Sequence, residues 1–289
     1  MTRRRLTAPL VLTALLTLLA IVETASALTA RARVASDEDW SAAAAEVRAG
    51  LTPGDLVVFA PGWVDQIGRA HLGDVIPVAM AARADADPYA RVWEVSIRGA
   101  RAPETAQAHL VREARHGKVR VALYDKPAVS VVWDFTAHAD EARVTQTVGA
   151  SDETPCYRDV GSGFRCAGSR VERRTLEVDY RPRRGILTPV DGARITHVGF
   201  TEVPLGATLV LYAGLHDYYA RKNGDGLVSF AVFVDGRELG RGRIGNADGW
   251  RRFDLDTRAL AGARHSVRFD VWSSNPAWRN FGFHAEARR

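Results

Sequence analysis

Val228-Ser229-Phe230-Ala231-Val232-Phe233-Val234-Asp235-Gly236-Arg237-Glu238-Leu239 decides the fold of the C-terminal half. Val228, Phe230, Val232 and Val234 recur at every second position, the period of a strand with one buried face. Asp235-Gly236 stands where a two-residue hairpin turn needs residues that tolerate positive φ, and Arg237-Glu238-Leu239 begins the return strand. The same pattern repeats outward. Val267, Phe269 and Val271 share one face, and Phe281, Phe283 and Ala285 share another. Leu176, Val178 and Tyr180 alternate with Glu177 and Asp179, and Val129 to Phe135 forms a further run. Many short strands at regular spacing with Gly-rich turns predict an antiparallel, jelly-roll-like β-sandwich over residues 128–289. Arg181-Pro182-Arg183-Arg184-Gly185 reads as an irregular connector within it.

Upstream the pattern differs. Ser36-Asp37-Glu38-Asp39 reads as a helix start, with a polar N-cap and acidic first-turn residues facing the unpaired amides. The predicted helix runs through Trp40, Ala44 and Val47 to Gly50, and Pro53-Gly54-Asp55 breaks it. Leu56-Val57-Val58-Phe59-Ala60 is a continuous apolar run, as in a strand buried on both faces. Val92 to Ile97 and Val119 to Tyr124 are two more strands, and Pro103 to Arg115 reads as a helix ended by Gly117. Alternating strand and helix predict a small α/β domain with a parallel sheet over residues 36–127.

The first 35 residues are an export segment. Arg3, Arg4 and Arg5 precede an uncharged apolar run from Leu6 to Val22, followed by Ala25-Ser26-Ala27, a small-x-small cleavage site. The segment is either cut after Ala27 or kept as a membrane anchor. As a helix the run spans about 26 Å, a little short of a hydrocarbon core of about 30 Å. The protein is therefore expected outside the cytoplasm, periplasmic or otherwise extracytoplasmic. There Cys156 and Cys166, the two cysteines of the 289-residue chain, are expected to pair across the Gly161-Ser162-Gly163 turn. The formal charge is +5, with both signs interspersed and lysine confined to Lys118, Lys126 and Lys222. No nucleic-acid motif occurs, so nucleic acid is not an expected partner.

Asp39-Trp40-Ser41-Ala42-Ala43-Ala44 together with Pro53-Gly54-Asp55-Leu56-Val57-Val58 resembles a segment of bacterial membrane glycosyltransferases of the mannosyltransferase and aminoarabinose-transferase type. There it lies in the extracytoplasmic α/β domain after the last transmembrane helix. The resemblance covers about residues 36 to 125. It implies a relative of an accessory or detached domain in envelope glycan metabolism. This chain has one apolar segment where those enzymes have many, so no catalytic residue is carried over. The C-terminal half resembles galactose-binding-like and carbohydrate-binding sandwiches in general pattern.

The principal candidate site is the stretch from His216 to Asp225. It joins aromatic faces (Tyr218, Tyr219) to hydrogen-bonding side chains (His216, Asp217, Arg221, Asn223, Asp225), flanked by Gly214, Gly224 and Gly226. Sugars are held this way, rings against C–H faces and polar groups on hydroxyls. Asp217, Asn223 and Asp225 also offer oxygen ligands to Ca²⁺, although the spacing is not that of an EF-hand and no other cofactor is expected. The bland alternative is a polar inter-strand loop held by its own turns. Strand parity sends Trp272 outward when Val271 faces the core, so it extends the candidate surface. Trp250 and Trp278 lie near predicted strand ends. A secondary candidate follows the first strand, at Trp63, Asp65, Gln66, Arg69 and His71, where ligands sit in open α/β sheets.

No hydrolase elbow, zinc spacing, P-loop or glycosidase carboxylate pair stands out. Two function classes follow. One is an exported, non-catalytic envelope protein that binds glycan or a protein partner through its sandwich. The other is an accessory part of a glycosyl transfer system or a glycan-active enzyme.

Overall fold

The computed structural model describes residues 7–77, 85–159, 163–190, 192, 194–216, 226–274 and 279–289. The chain divides into two compact units: Met1–Val75 with Arg91–Lys126, and Ile76–Ala90 with Pro127–Arg289.

The first unit opens with helix α1 (Thr7–Arg33). Its stretch Leu10–Thr29 is exposed throughout and, by length and composition, can cross a membrane, which is compatible with export. Thr17 and Thr24 donate to the carbonyls of Thr13 and Ala20 (2.9 and 2.7 Å), so these hydroxyls need no water. Helix α2 (Asp37–Gly50) begins where Ser36 predicts: the Ser36 Oγ accepts from Asp39 N at 3.1 Å, and Asp39 Oδ2 accepts from Ser36 N at 3.1 Å. Strand β1 (Leu56–Ala60), helix α3 (Asp65–Leu72) and strands β2 (Arg91–Ile97), β3 (His109–His116) and β4 (Val119–Asp125) complete the unit. The sheet order is β1-β2-β4-β3.

Two details depart from the sequence reading. The sheet is mixed: β1 and β2 are parallel, but β4 lies antiparallel to both β2 and β3. The expected helix from Pro103 to Arg115 is instead a short 3-10 turn (Pro103–Thr105) and strand β3. Its residues are good helix formers, but Gly117 adopts φ +56 and turns the chain into a hairpin. Pairing with the buried β4 then overrides local propensity. Arg120 on β4 reaches across to Glu113 on β3 at 2.7 Å and to the fully buried Glu94 on β2 at 2.7 Å.

The second unit contains β5 (Val131–Asp134), β6 (Arg143–Val148), β7 (Thr154–Pro155), β8 (Tyr157–Asp159), β9 (Gly163–Cys166), β10 (Ser169–Val178), β11 (Arg181–Val190), β12 (Arg194–Pro204), β13 (Thr208–Leu215), β14 (Val228–Val234), β15 (Arg237–Ile244), β16 (Arg251–Asp256), β17 (Arg264–Ser273) and β18 (Arg279–Arg288). Among the described residues they form two sheets. One has the order β16-β13-β18-β11-β10-β9-β8, with β5 on β18; the other runs β15-β14-β17-β12-β6-β7. Their pairings are antiparallel, so the predicted β-sandwich is the observed one. Phe200, Phe230, Phe269, Phe281, Phe283 and Val271 are buried between the sheets, as the alternation requires. The rings meet edge-on, Phe135 against both Phe200 and Phe269 at 5.1 Å. Asp235 and Gly236 turn with φ +49 and +77, the hairpin expected from sequence.

Arg181 to Gly185 is not a connector. It is the start of β11, because Asp179 and Tyr180 make the turn themselves, both at positive φ (51 and 58). This hairpin end lies over the outer face of the larger sheet. Gly214 and Gly282 are direct cross-strand partners there. A Cβ on Gly282 would overlap Leu176 Cδ1, and one on Gly214 would meet Val178 Cγ1 at 2.9 Å. The missing side chains let Leu176, fully buried, pack onto the sheet.

Candidate functional site

The stretch Asp217–Asp225 lies outside the described residues, as does Trp278. His216 is described, and its amide donates to the Asn280 carbonyl at 2.8 Å. The stretch leaves the end of β13 in the larger sheet and returns at β14 in the smaller one. Trp272 is half-buried on the outer face of the smaller sheet, opposite Ser229. Trp250 is half-buried too, its Nε1 donating to the Arg181 carbonyl at 2.8 Å.

At the same end of the sandwich the larger sheet carries an open cleft of about 500 Å³. Register places it there: Leu215 pairs with Phe281 on β18, Val190 pairs with Arg279, and β10 starts alongside the end of β11. Leu187 and Pro189 make an apolar floor with Cys166, and Arg165, Ser169, Arg170 and Glu172 contribute polar groups. The expected disulfide Cys156–Cys166 is formed and anchors one wall. Ser169 Oγ accepts from Gln146 Nε2 at 3.1 Å. Arg170 Nε lies 3.1 Å from Glu172, and Arg165 pairs with Asp159 at 2.9 Å. The cleft thus offers fixed donors and acceptors around an apolar floor, at a size that suits a small ligand.

Further along the same face lies a dense charged cluster. Arg288 pairs with Asp85 and with Glu286 (2.5 Å), and Arg252 pairs with Asp87 and Asp254, each at 2.8 Å. Arg183, only 7% exposed, stacks over the Tyr212 ring at 3.9 Å, with Trp250 at 5.5 Å. Among the described residues nothing accepts a hydrogen bond from its Nε and Nη2. Burial pushes this guanidinium down to about 10, and burial raises the Tyr212 hydroxyl.

On the outer face of the smaller sheet, Thr147 Oγ1, His197 and Asp270 form a hydrogen-bonded run: 2.9 Å from Thr147 to His197 Nε2, and 2.7 Å from His197 Nδ1 to Asp270. His197 and Asp270 are direct cross-strand partners, and Arg268 Nη2 also donates to Asp270 at 3.1 Å. Sequence reasoning missed both this run and the cleft. Thr147, His197 and Asp270 are 50 and 73 positions apart, so only the register joins them. The cleft residues Arg165 to Glu172 sit on the β9–β10 hairpin, whose one local signal is Cys166 followed by Gly168, and Leu187 and Pro189 come from β11.

In the first unit, α3 separates the secondary candidate residues by helical face. Trp63 and His71 line one cleft of about 320 Å³ with Trp40, Ile67 and Arg98. His71 stacks on Trp40 (6.3 Å) and lies 3.3 Å from Asp37. Asp65 and Arg69 turn to each other at 2.7 Å, and Gln66 is exposed. Among the described residues no group of three or more His, Cys, Asp or Glu is placed to hold a metal ion.

No family model matches the sequence, and no curated protein matches it. Solved structures do show distant similarity. The CBM51 of Clostridium perfringens GH95 in complex with methyl-galactose is 14% identical, with a TM-score of 0.30 over 40% of this chain and 81% of that one. The CBM51-2 and INT domains of Clostridium perfringens ZmpB in complex with GlcNAc are 13% identical, with a TM-score of 0.32 over 67% of this chain and 40% of that one. A carbohydrate-binding module of the β-sandwich superfamily is 10% identical, with a TM-score of 0.34 over 59% and 67%. At such values the similarity assigns this chain neither a family nor a ligand. The glycosyltransferase-like resemblance of the first unit has no counterpart among these structures.

Proposed function

We propose that the protein is exported and binds glycan, without catalysis, through the end of its β-sandwich. The observation that carries this reading is the open cleft of about 500 Å³ on the rigid sheet, with its apolar floor and its polar groups Arg165, Ser169, Arg170 and Glu172. A sugar presents C–H faces to such a floor and hydroxyls to such groups. Arg170 and Glu172 neutralise one another, so the site favours an uncharged, hydroxyl-rich ligand over an acidic one. The stretch His216 to Asp225 leaves the same end of the sandwich and carries Tyr218 and Tyr219, which are the proposed stacking partners. Trp272 is a proposed outer contact on the other sheet. The α/β residues Trp63 and His71 are not needed for this reading. The formed disulfide and the exposed apolar helix are in keeping with an extracytoplasmic location. The test is a glycan array probed with the full-length protein, methyl-galactose and GlcNAc included. Binding of neutral glycans is expected. A folded protein that binds none of them moves the reading to a protein partner.

One observation favours a second reading, a hydrolase. Asp270 accepts from His197 Nδ1–H, which leaves Nε2 free to take the Thr147 hydroxyl proton, the order of a nucleophile, base and orienting acid. Hydrolysis of ester or glycoside substrates that disappears in Asp270→Asn and Thr147→Ala would support it. His197 is only 7% exposed and Arg268 shares Asp270, both of which favour a structural ladder.

A further inference from the structure

We propose that the first unit rests on the membrane that α1 crosses, with Val34, Trp63 and Ile67 in the lipid headgroup layer. Three large apolar side chains are exposed around one cleft: Val34 (59%), Trp63 (56%) and Ile67 (42%). Trp63, Ile67 and His71 recur every four residues and so share a face. Three separate segments supply the patch: the residue that follows α1, the turn before α3, and α3 itself.

The occupant follows from the length of α1. The stretch that can cross a membrane by length and composition, Leu10–Thr29, has Glu23 within it and ends at Thr29, and the helix continues to Arg33. Val34 is therefore about 7–8 Å beyond the span, at a rise of about 1.5 Å per residue. The polar layer on each side of a bilayer is about 5–8 Å deep. With Leu10–Thr29 in the hydrocarbon, Val34 stands at the outer edge of the headgroups, and Trp63 and Ile67 share its cleft. Tryptophan is enriched within the headgroup layer just inside that edge, where its ring meets apolar groups and its N–H is hydrated. Arg98 lies over the Trp63 ring at 5.5 Å, within reach of a lipid phosphate at that level. Asp37 lines the same cleft and opposes Arg98. The attraction is therefore apolar rather than coulombic, and zwitterionic lipid suffices.

The experiment uses the full-length protein, its α1 retained as checked by mass, in phosphatidylcholine vesicles with and without acyl chains brominated near the glycerol. Brominated lipid is expected to quench a tryptophan component that is missing from Trp63→Phe. Ile67→Glu is expected to weaken that quenching, and 0.5 M salt is expected to leave it unchanged. Both positions are exposed, so neither change removes core packing. Equal emission from Trp63 in plain and brominated vesicles would overturn the proposal. So would a native N-terminus cut after Ala27, since the anchor that fixes the depth would be gone. Neither result bears on glycan binding by the sandwich.

Discussion

Replacing Arg183 by methionine should make the protein more stable. Arg183 is 7% exposed, and two of its donors lack an acceptor among the described residues. Burial holds its guanidinium down at about 10, below the ordinary arginine value. That depression corresponds to about 3 kcal/mol against the folded state at neutral pH. Methionine removes the charge and keeps an unbranched apolar chain over the Tyr212 ring. It forfeits the cation–ring contact at 3.9 Å, which contributes about 1–2 kcal/mol. The net expectation is a gain of about 1–2 kcal/mol, in line with replacements of buried charged groups by apolar side chains. The sign with pH is definite. A base whose folded pKa is depressed carries its full penalty at every pH below that value, and the penalty fades only as pH rises above about 10. The gain should therefore be the same from pH 5 to 8. Urea unfolding of both proteins, followed by circular dichroism across that range, measures it. A methionine variant less stable than wild type by 1 kcal/mol or more would show that Arg183 holds favourable partners, and would refute the reasoning.

Three further outcomes follow from the structure. Leu176→Ala should lose about 2–5 kcal/mol and Gly282→Ala about 1–3 kcal/mol, but the double variant should be more stable than the additive value, because the new methyl enters the vacated space; strict additivity in denaturant melts would contradict the packing. Replacing Cys156 and Cys166 by serine should cost about 2–3 kcal/mol, since they close a loop of sequence separation 10; an unchanged melting temperature would contradict this. His265 donates to Asp235 (2.6 Å) and to the Leu260 carbonyl (3.0 Å), and its pKa is raised, chiefly by the Asp235 hydrogen bond. Its contribution is full below about pH 6.5 and is lost as pH rises through the raised folded pKa, so stability should fall as pH climbs above about 6.5 in wild type but not in His265→Gln.

Local signals in the sequence were read correctly where one residue type admits one geometry. Asp235-Gly236 turns because its φ values are positive, and Ser36 caps because its hydroxyl meets an unpaired amide. Readings that rested on propensity fared worse. His109 to His116 favours a helix by composition, yet pairing with β4 makes it a strand. Arg181 to Gly185 looks like a break because of Pro182 and Gly185, but the turn lies two residues earlier, at Asp179 and Tyr180. Parity alone sends Trp272 outward, and it lies on the outer face, opposite Ser229. The cleft could not be read at all: Arg165, Glu172 and Leu187 come together only through the register of three strands. Polar residues alternating along a strand look like an ordinary solvated face until the neighbouring strand supplies a floor.

The most direct measurement is calorimetric titration of the full-length protein with the tightest neutral glycan from the array, beside the variant Arg170→Ala/Glu172→Ala. Arg170 is exposed in the cleft and Glu172 is half-buried there, so circular dichroism and a thermal melt of the variant accompany the titration to show that it is folded. Saturable binding that weakens at least about tenfold in the variant, a loss of about 1.4 kcal/mol, is the expected result. Equal affinity for both proteins would place the ligand elsewhere and contradict the cleft as the binding site.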